Sequence, residues 1–203
     1  MLKGLLAGAL LLIATNAPLA KADTVAWTPS GAVTTGTGGS VNLGMVFTPN
    51  SDISVTGLGF YDLAGLTGGA TVALYDSDQF LLASTFVPLT SPIVDGYFFQ
   101  GIRPVTLTAG DQYTVVEFTD STANNWGYGP TPATNANVTY NYRDYLYSGS
   151  LAFPTVTEES AGPYYGPDFS FGSRTVIPEP STILLLCTGL LGVAGTLRRK
   201  FLA

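Results

Sequence analysis

From Val41 to Thr48 the chain alternates. Val41, Leu43, Met45 and Phe47 share one parity, and Asn42, Gly44 and Thr48 share the other. Successive side chains of a β-strand point to opposite faces, so this is a strand with one apolar face. The expectation is that these four side chains point between two sheets, with Asn42 and Thr48 on a solvated face. Ile53 and Val55 continue the pattern after the turn at Pro49-Asn50-Ser51-Asp52. Val72 and Leu74 lead into a turn at Asp76-Ser77-Asp78, and Phe80–Val87 returns as a hairpin partner. Tyr97–Leu107 and Gln112–Phe118 flank the turn Thr108-Ala109-Gly110-Asp111, and a last strand fits Phe169–Val176. Gly36–Gly39 and Asn124–Asn137 read as loops. No window carries a capped helical stripe. Many short strands between regular turns predict an all-β domain, a single jelly-roll-like sandwich of about eight strands.

The ends of the chain are of another kind. Lys3 precedes an apolar run over Leu5–Ala14, and Ala20-Lys21-Ala22 fits the small-x-small cleavage rule. Residues 1–22 therefore read as a signal peptide cut after Ala22. At the other end, Pro178, Glu179 and Pro180 precede an uncharged segment, and Arg198, Arg199 and Lys200 follow it. Counted from Ser181 to Leu197, that segment is 17 residues. At about 1.5 Å per residue it spans roughly 25 Å, close to a thin hydrocarbon core of about 27–30 Å. The basic stop keeps its end cytoplasmic and places the body outside. The two prolines hold the preceding peptide extended and open to a processing enzyme.

The Pro-Glu-Pro-Ser-Thr motif, short span and Arg-Arg-Lys end resemble a PEP-CTERM protein-sorting signal, here residues 178–203. The resemblance implies a Gram-negative bacterium that makes extracellular polysaccharide. It also implies an exosortase as partner, which cuts near Pro178-Glu179-Pro180 and releases or transfers the body. The chain would be tethered at the inner membrane by its C-terminal helix before processing, and afterwards sit in the cell envelope or outside the cell. A second resemblance runs over about residues 40–172. It rests on Leu43-Gly-Met-Val-Phe-Thr-Pro49, Val55-Thr-Gly-Leu-Gly-Phe-Tyr61, Ala73-Leu-Tyr-Asp-Ser-Asp78 and Leu107-Thr-Ala-Gly-Asp-Gln-Tyr-Thr-Val115. These are similar to an uncharacterised β-sandwich domain of secreted and surface proteins, which occurs beside carbohydrate-active or adhesive modules. That likeness implies a jelly-roll-like fold and no established activity.

Composition narrows what the body, residues 23–177, can do. Thirteen of the fourteen carboxylates and three of the eight cations lie there, a formal charge of −10. Such a surface repels nucleic acid and anionic headgroups. The one cysteine, Cys187, lies in the sorting segment, so the body holds no disulfide and its stability must come from packing. The chain has no histidine and the body no lysine, which removes the usual bases for a serine or threonine nucleophile.

Two weaker signals remain. Asp76 and Asp78 could place two carboxylates on one face, but Asp-Ser-Asp between apolar runs reads first as a turn. A weak calcium site there is the only cofactor the pattern suggests. Trp126 and Tyr128, in Asn-Asn-Trp-Gly-Tyr-Gly, are candidates for stacking on a sugar face, the amphipathic use of an aromatic ring. The expectation is a non-enzymatic exported protein with a structural or adhesive role. The alternatives are a non-catalytic carbohydrate-binding module acting on exopolysaccharide and, behind it, a glycan hydrolase.

Overall fold

The computed structural model describes residues 23–36, 39–120, 126–129, 132–159 and 162–173. The cleavage residues Ala20 and Ala22, the Pro178-Glu179-Pro180 motif, the apolar segment and Arg198-Arg199-Lys200 lie outside these. The described residues form β-strands and no helix, so none of them forms a helix long and apolar enough to cross a membrane.

Eight strands carry the fold: β1 (Val41–Pro49), β2 (Ile53–Tyr61), β3 (Ala70–Asp76), β4 (Leu81–Val87), β5 (Tyr97–Leu107), β6 (Tyr113–Thr119), β7 (Val138–Tyr147) and β8 (Pro167–Ser173). One sheet runs β7-β1-β6-β3-β4, with Val156–Glu158 added outside β7. The other runs β8-β2-β5, with Thr24–Val25 and Ile93–Val94 on its two edges. Every pairing is antiparallel. The chain changes sheet from β1 to β2, β2 to β3, β4 to β5, β5 to β6 and β7 to β8, which winds it around one core. The hairpin at Asp76-Ser77-Asp78 forms as expected, and Gln79 closes it with φ of 66°. The segment read as a loop over 124–137 differs: Trp126–Tyr128 and Ala133–Thr134 are short strands. The first pairs with Tyr164–Tyr165 and Thr34–Gly36, the second with Trp27–Thr28.

The apolar face of β1 lies in the core as the alternation predicts. Val41, Leu43, Met45 and Phe47 are all buried. Phe47 sits in an aromatic nest, 4.6 Å from Phe169, 5.9 Å from Trp27 and 6.0 Å from Tyr113 between ring centroids. Trp27 donates its indole N–H to the Pro167 carbonyl at 3.0 Å, which allows it to be buried without a polar penalty. These side chains come from four segments far apart in sequence, and each buried large apolar group adds about 1.5–3 kcal/mol.

The other face of β1 corrects the expectation. Asn42 is 0% exposed. The segment after β7, residues 148–155, folds back as a strap across this face. Asn42 Nδ2 donates to Ser150 O at 3.1 Å, and Ala152 N–H donates to Asn42 Oδ1 at 2.9 Å. Leu151 and Phe153 of the strap pack on Ala73, Tyr75 and Val116. Pro154 seats where a Cβ on Gly44 would stand, 2.6 Å away, so only glycine lets it approach. Thr48 is half-buried and accepts from Asn141 Nδ2 at 3.0 Å. β1 is therefore covered on both faces by chemistry of two kinds, apolar inside and hydrogen-bonded outside.

Candidate functional site

Asp76 and Asp78 sit in the β3–β4 hairpin. The N–H groups of Asp78 and Phe80 donate to Asp76 Oδ1 at 3.0 and 2.9 Å. One Asp76 oxygen is thus engaged by the turn backbone, the usual work of an aspartate at this position. Among the described residues, no three acidic or sulfur side chains stand close enough to hold a metal ion.

The two sugar-stacking candidates have different surroundings. Trp126 is half-buried, edge-on to Tyr164 at 5.6 Å, and its ring covers Gly36, where a Cβ would fall 2.6 Å from the indole. Tyr128 is 41% exposed and 5.6 Å from Trp126. Beside them Arg143 lies 4.3 Å from the centroid of the Tyr164 ring and pairs with Glu158 at 2.6 Å. Tyr147, 5.7 Å from Tyr145, is exposed nearby on β7. The patch combines rings that pack with rings that face water.

A polar cleft opens on the strap side of the larger sheet. Its volume is about 270 Å³. Thr114, Tyr142 and Asp144 come from the sheet, Phe153 and Thr157 from the strap and its return strand, and Gln112 from the β5–β6 turn. The Tyr142 hydroxyl donates to Gln112 Oε1 at 3.4 Å. Asp144 is 5% exposed, and its Oδ1 has no hydrogen-bond partner. Burial raises its carboxyl above the ordinary range, and a hydrogen bond from Thr157 pulls it part of the way back. Sequence reasoning missed this cleft because the strap carries no regular structure. The apolar Leu151 and Phe153 inside a Ser- and Gly-rich stretch were the available signal.

Two further acids are sealed. Glu117 on β6 is 2% exposed and lies opposite Leu43 on β1 and Val72 on β3, facing inward. Its Oε2 stands where a Cβ on Gly166 would be and has no hydrogen-bond partner. Desolvation pushes this carboxyl up to about 8. Asp168 is fully buried at the start of β8. Burial pushes it well above the carboxylate range, against backbone hydrogen bonds from Phe169, Ala26 and Trp27. The Tyr97 hydroxyl is raised as well, first by burial and then by Asp168, Tyr165, Tyr61 and Glu117. Sequence reasoning did not single out Glu117; its shared parity with Tyr113 and Val115 was the available signal.

A family model described as a domain of unknown function (DUF4082) matches residues 26–165. The chain belongs to that family. The match takes in β1 to β7 and the small sheet that carries Trp126, and stops short of β8. A second model, the PEP-CTERM protein-sorting motif, matches residues 176–200. A sorting motif behind the DUF4082 domain marks an exported protein, with an exosortase as its processing partner at the membrane. No curated protein matches the chain.

Proposed function

We propose that the DUF4082 domain of this chain is a non-enzymatic structural or adhesive module, delivered to the cell envelope or extracellular matrix. The observation that supports this most is the sorting motif, which follows one sandwich built for packing. Its acids also argue against catalysis. Glu117 and Asp168, the two most strongly raised, are sealed from any substrate. Asp76 caps a turn. A glycosidase needs two carboxyls flanking an accessible bond, and the strap-side cleft offers Asp144 alone.

A carbohydrate-binding role is the second reading, favoured by that cleft and by the exposed rings of Tyr128 and Tyr147. Extracellular polysaccharide would then be the partner. The test is co-sedimentation of the processed protein with whole cells and with their purified exopolysaccharide, scored together with reducing-end release. Binding without release supports the proposal. Release that is lost on acid-to-amide substitution would establish the hydrolase instead, and failure to bind either cells or polysaccharide would refute adhesion.

A further inference from the structure

We infer that the cleft between the strap and the larger sheet is a binding site for one ring of a neutral sugar, presented as part of a polysaccharide. This rests on the adhesive reading and gives it a place on the molecule.

The size comes first. A volume of about 270 Å³ falls just below the about 300 Å³ at which small-molecule pockets begin. It suits a single ring better than a long segment held end to end. The chemistry of the walls comes next. Asp144 Oδ1 is buried and unpartnered, so it requires a donor. Leaving such an oxygen unpaired is costly, which gives a donor brought by a ligand a large advantage over water contact elsewhere. Around it stand Gln112, Thr114 and Thr157, whose amide and hydroxyl groups both donate and accept. A vicinal diol, which donates at one atom and accepts at the next, matches such a lining. Phe153 and Pro154 supply an apolar wall on the same cleft. Phe153 is held edge-on to Tyr75 at 5.4 Å, so its ring is fixed before any ligand arrives. A pyranose meets both demands, with C–H groups on one face and hydroxyls at the rim.

Charge selects among sugars. Asp144 lines the site, and the body carries a formal charge of −10. A uronate or a sulfated ring would meet repulsion both locally and at long range, so the site takes uncharged rings.

The test is an NMR titration of isotope-labelled processed protein with the methyl glycosides of glucose, galactose, mannose and xylose, and with methyl glucuronide as the charged probe. The expected result is saturable shifts at Thr114, Asp144 and Thr157 with at least one neutral glycoside, and at least tenfold weaker binding of the glucuronide. Asp144→Asn and Gln112→Ala should each weaken binding by about tenfold while leaving the remaining spectrum in place. Shifts that appear only around Tyr128, shifts that Asp144→Asn leaves unchanged, or no shift with any of the sugars would overturn the inference. A protein that sediments with exopolysaccharide and still shows no response in the cleft would refute this site and leave the adhesive reading standing.

Discussion

Raising the pH from about 5 to about 9 should weaken the domain, and Glu117→Gln should remove much of that loss. Glu117 is sealed between the sheets, with Leu43, Val72 and Gly166 around it and Tyr97 as its neighbouring titratable group. Its carboxyl moves from 4.5 to about 8 on burial. Below about 4.5 the group is protonated in both the folded and unfolded states and contributes nothing to pH dependence. Above that, the unfolded chain releases the proton and the folded one keeps it. Stability therefore falls as pH rises, until the folded group ionises near 8. At about 1.4 kcal/mol per pH unit, the whole window is worth about 5 kcal/mol, a third or more of a typical domain's stability of about 5–15 kcal/mol. Urea denaturation at intervals across the window reads this directly. In Glu117→Gln the slope should be shallower. At the acid end the variant should be equal to the wild type or about 1–3 kcal/mol less stable, because an amide N–H₂ then lacks partners. Where the variant starts below the wild type, the two curves should cross; where it starts level, they should diverge as pH rises. Asp168 slopes the same way, so the difference between the curves isolates Glu117. Parallel curves, or a wild-type midpoint that stays flat from about pH 5 to 9, would refute the argument.

Three further outcomes are expected. Phe47→Ala should cost about 3–5 kcal/mol, and Asn42→Ala about 2–3 kcal/mol by stranding the strap's Ser150 carbonyl and Ala152 N–H; a change at Asn42 below about 0.5 kcal/mol would show that the strap is not held there. Calcium at tenfold its dissociation constant would add about 1.4 kcal/mol if Asp76 and Asp78 bind it. The turn bonds already made by Asp76 favour no shift in melting temperature against EDTA. Intact-mass analysis of the native protein should show a start at Asp23 and loss of the segment Ile183–Leu197; a mass that retains both apolar ends would exclude processing.

The strands were legible because their causes are local. Parity marks β1, and the turn residues Asp76-Ser77-Asp78 and Thr108-Ala109-Gly110-Asp111 bound β3 to β6. The outer face of β1 was not legible. Asn42 is polar and reads as solvated, and what buries it is a segment 108 to 110 residues further along. Such contacts are decided by how the sheets stack, and no period in the sequence records them. The same holds for Asp144: the cleft around it exists only because the strap folds back over the larger sheet. Trp126 was visible as an aromatic in a glycine-rich stretch, and only the structure shows Gly36 and Tyr164 against its ring.

Two causes then act together on the pH response, and salt separates them. The formal charge of −10 gives self-repulsion among exposed carboxylates, which also grows as pH rises through their ordinary range. That part acts through water and falls away when the Debye length shrinks from about 10 Å at 0.1 M to about 3 Å at 1 M salt. The cost of Glu117 is desolvation inside the core, where ions do not reach. Repeating the urea series at high salt should therefore reduce the slope up to about pH 6, where surface carboxylates titrate, and leave the part due to Glu117 in place from about 4.5 to about 8. If high salt removes the whole slope, the charge responsible lies on the surface, and Glu117 does not hold its proton in the folded domain.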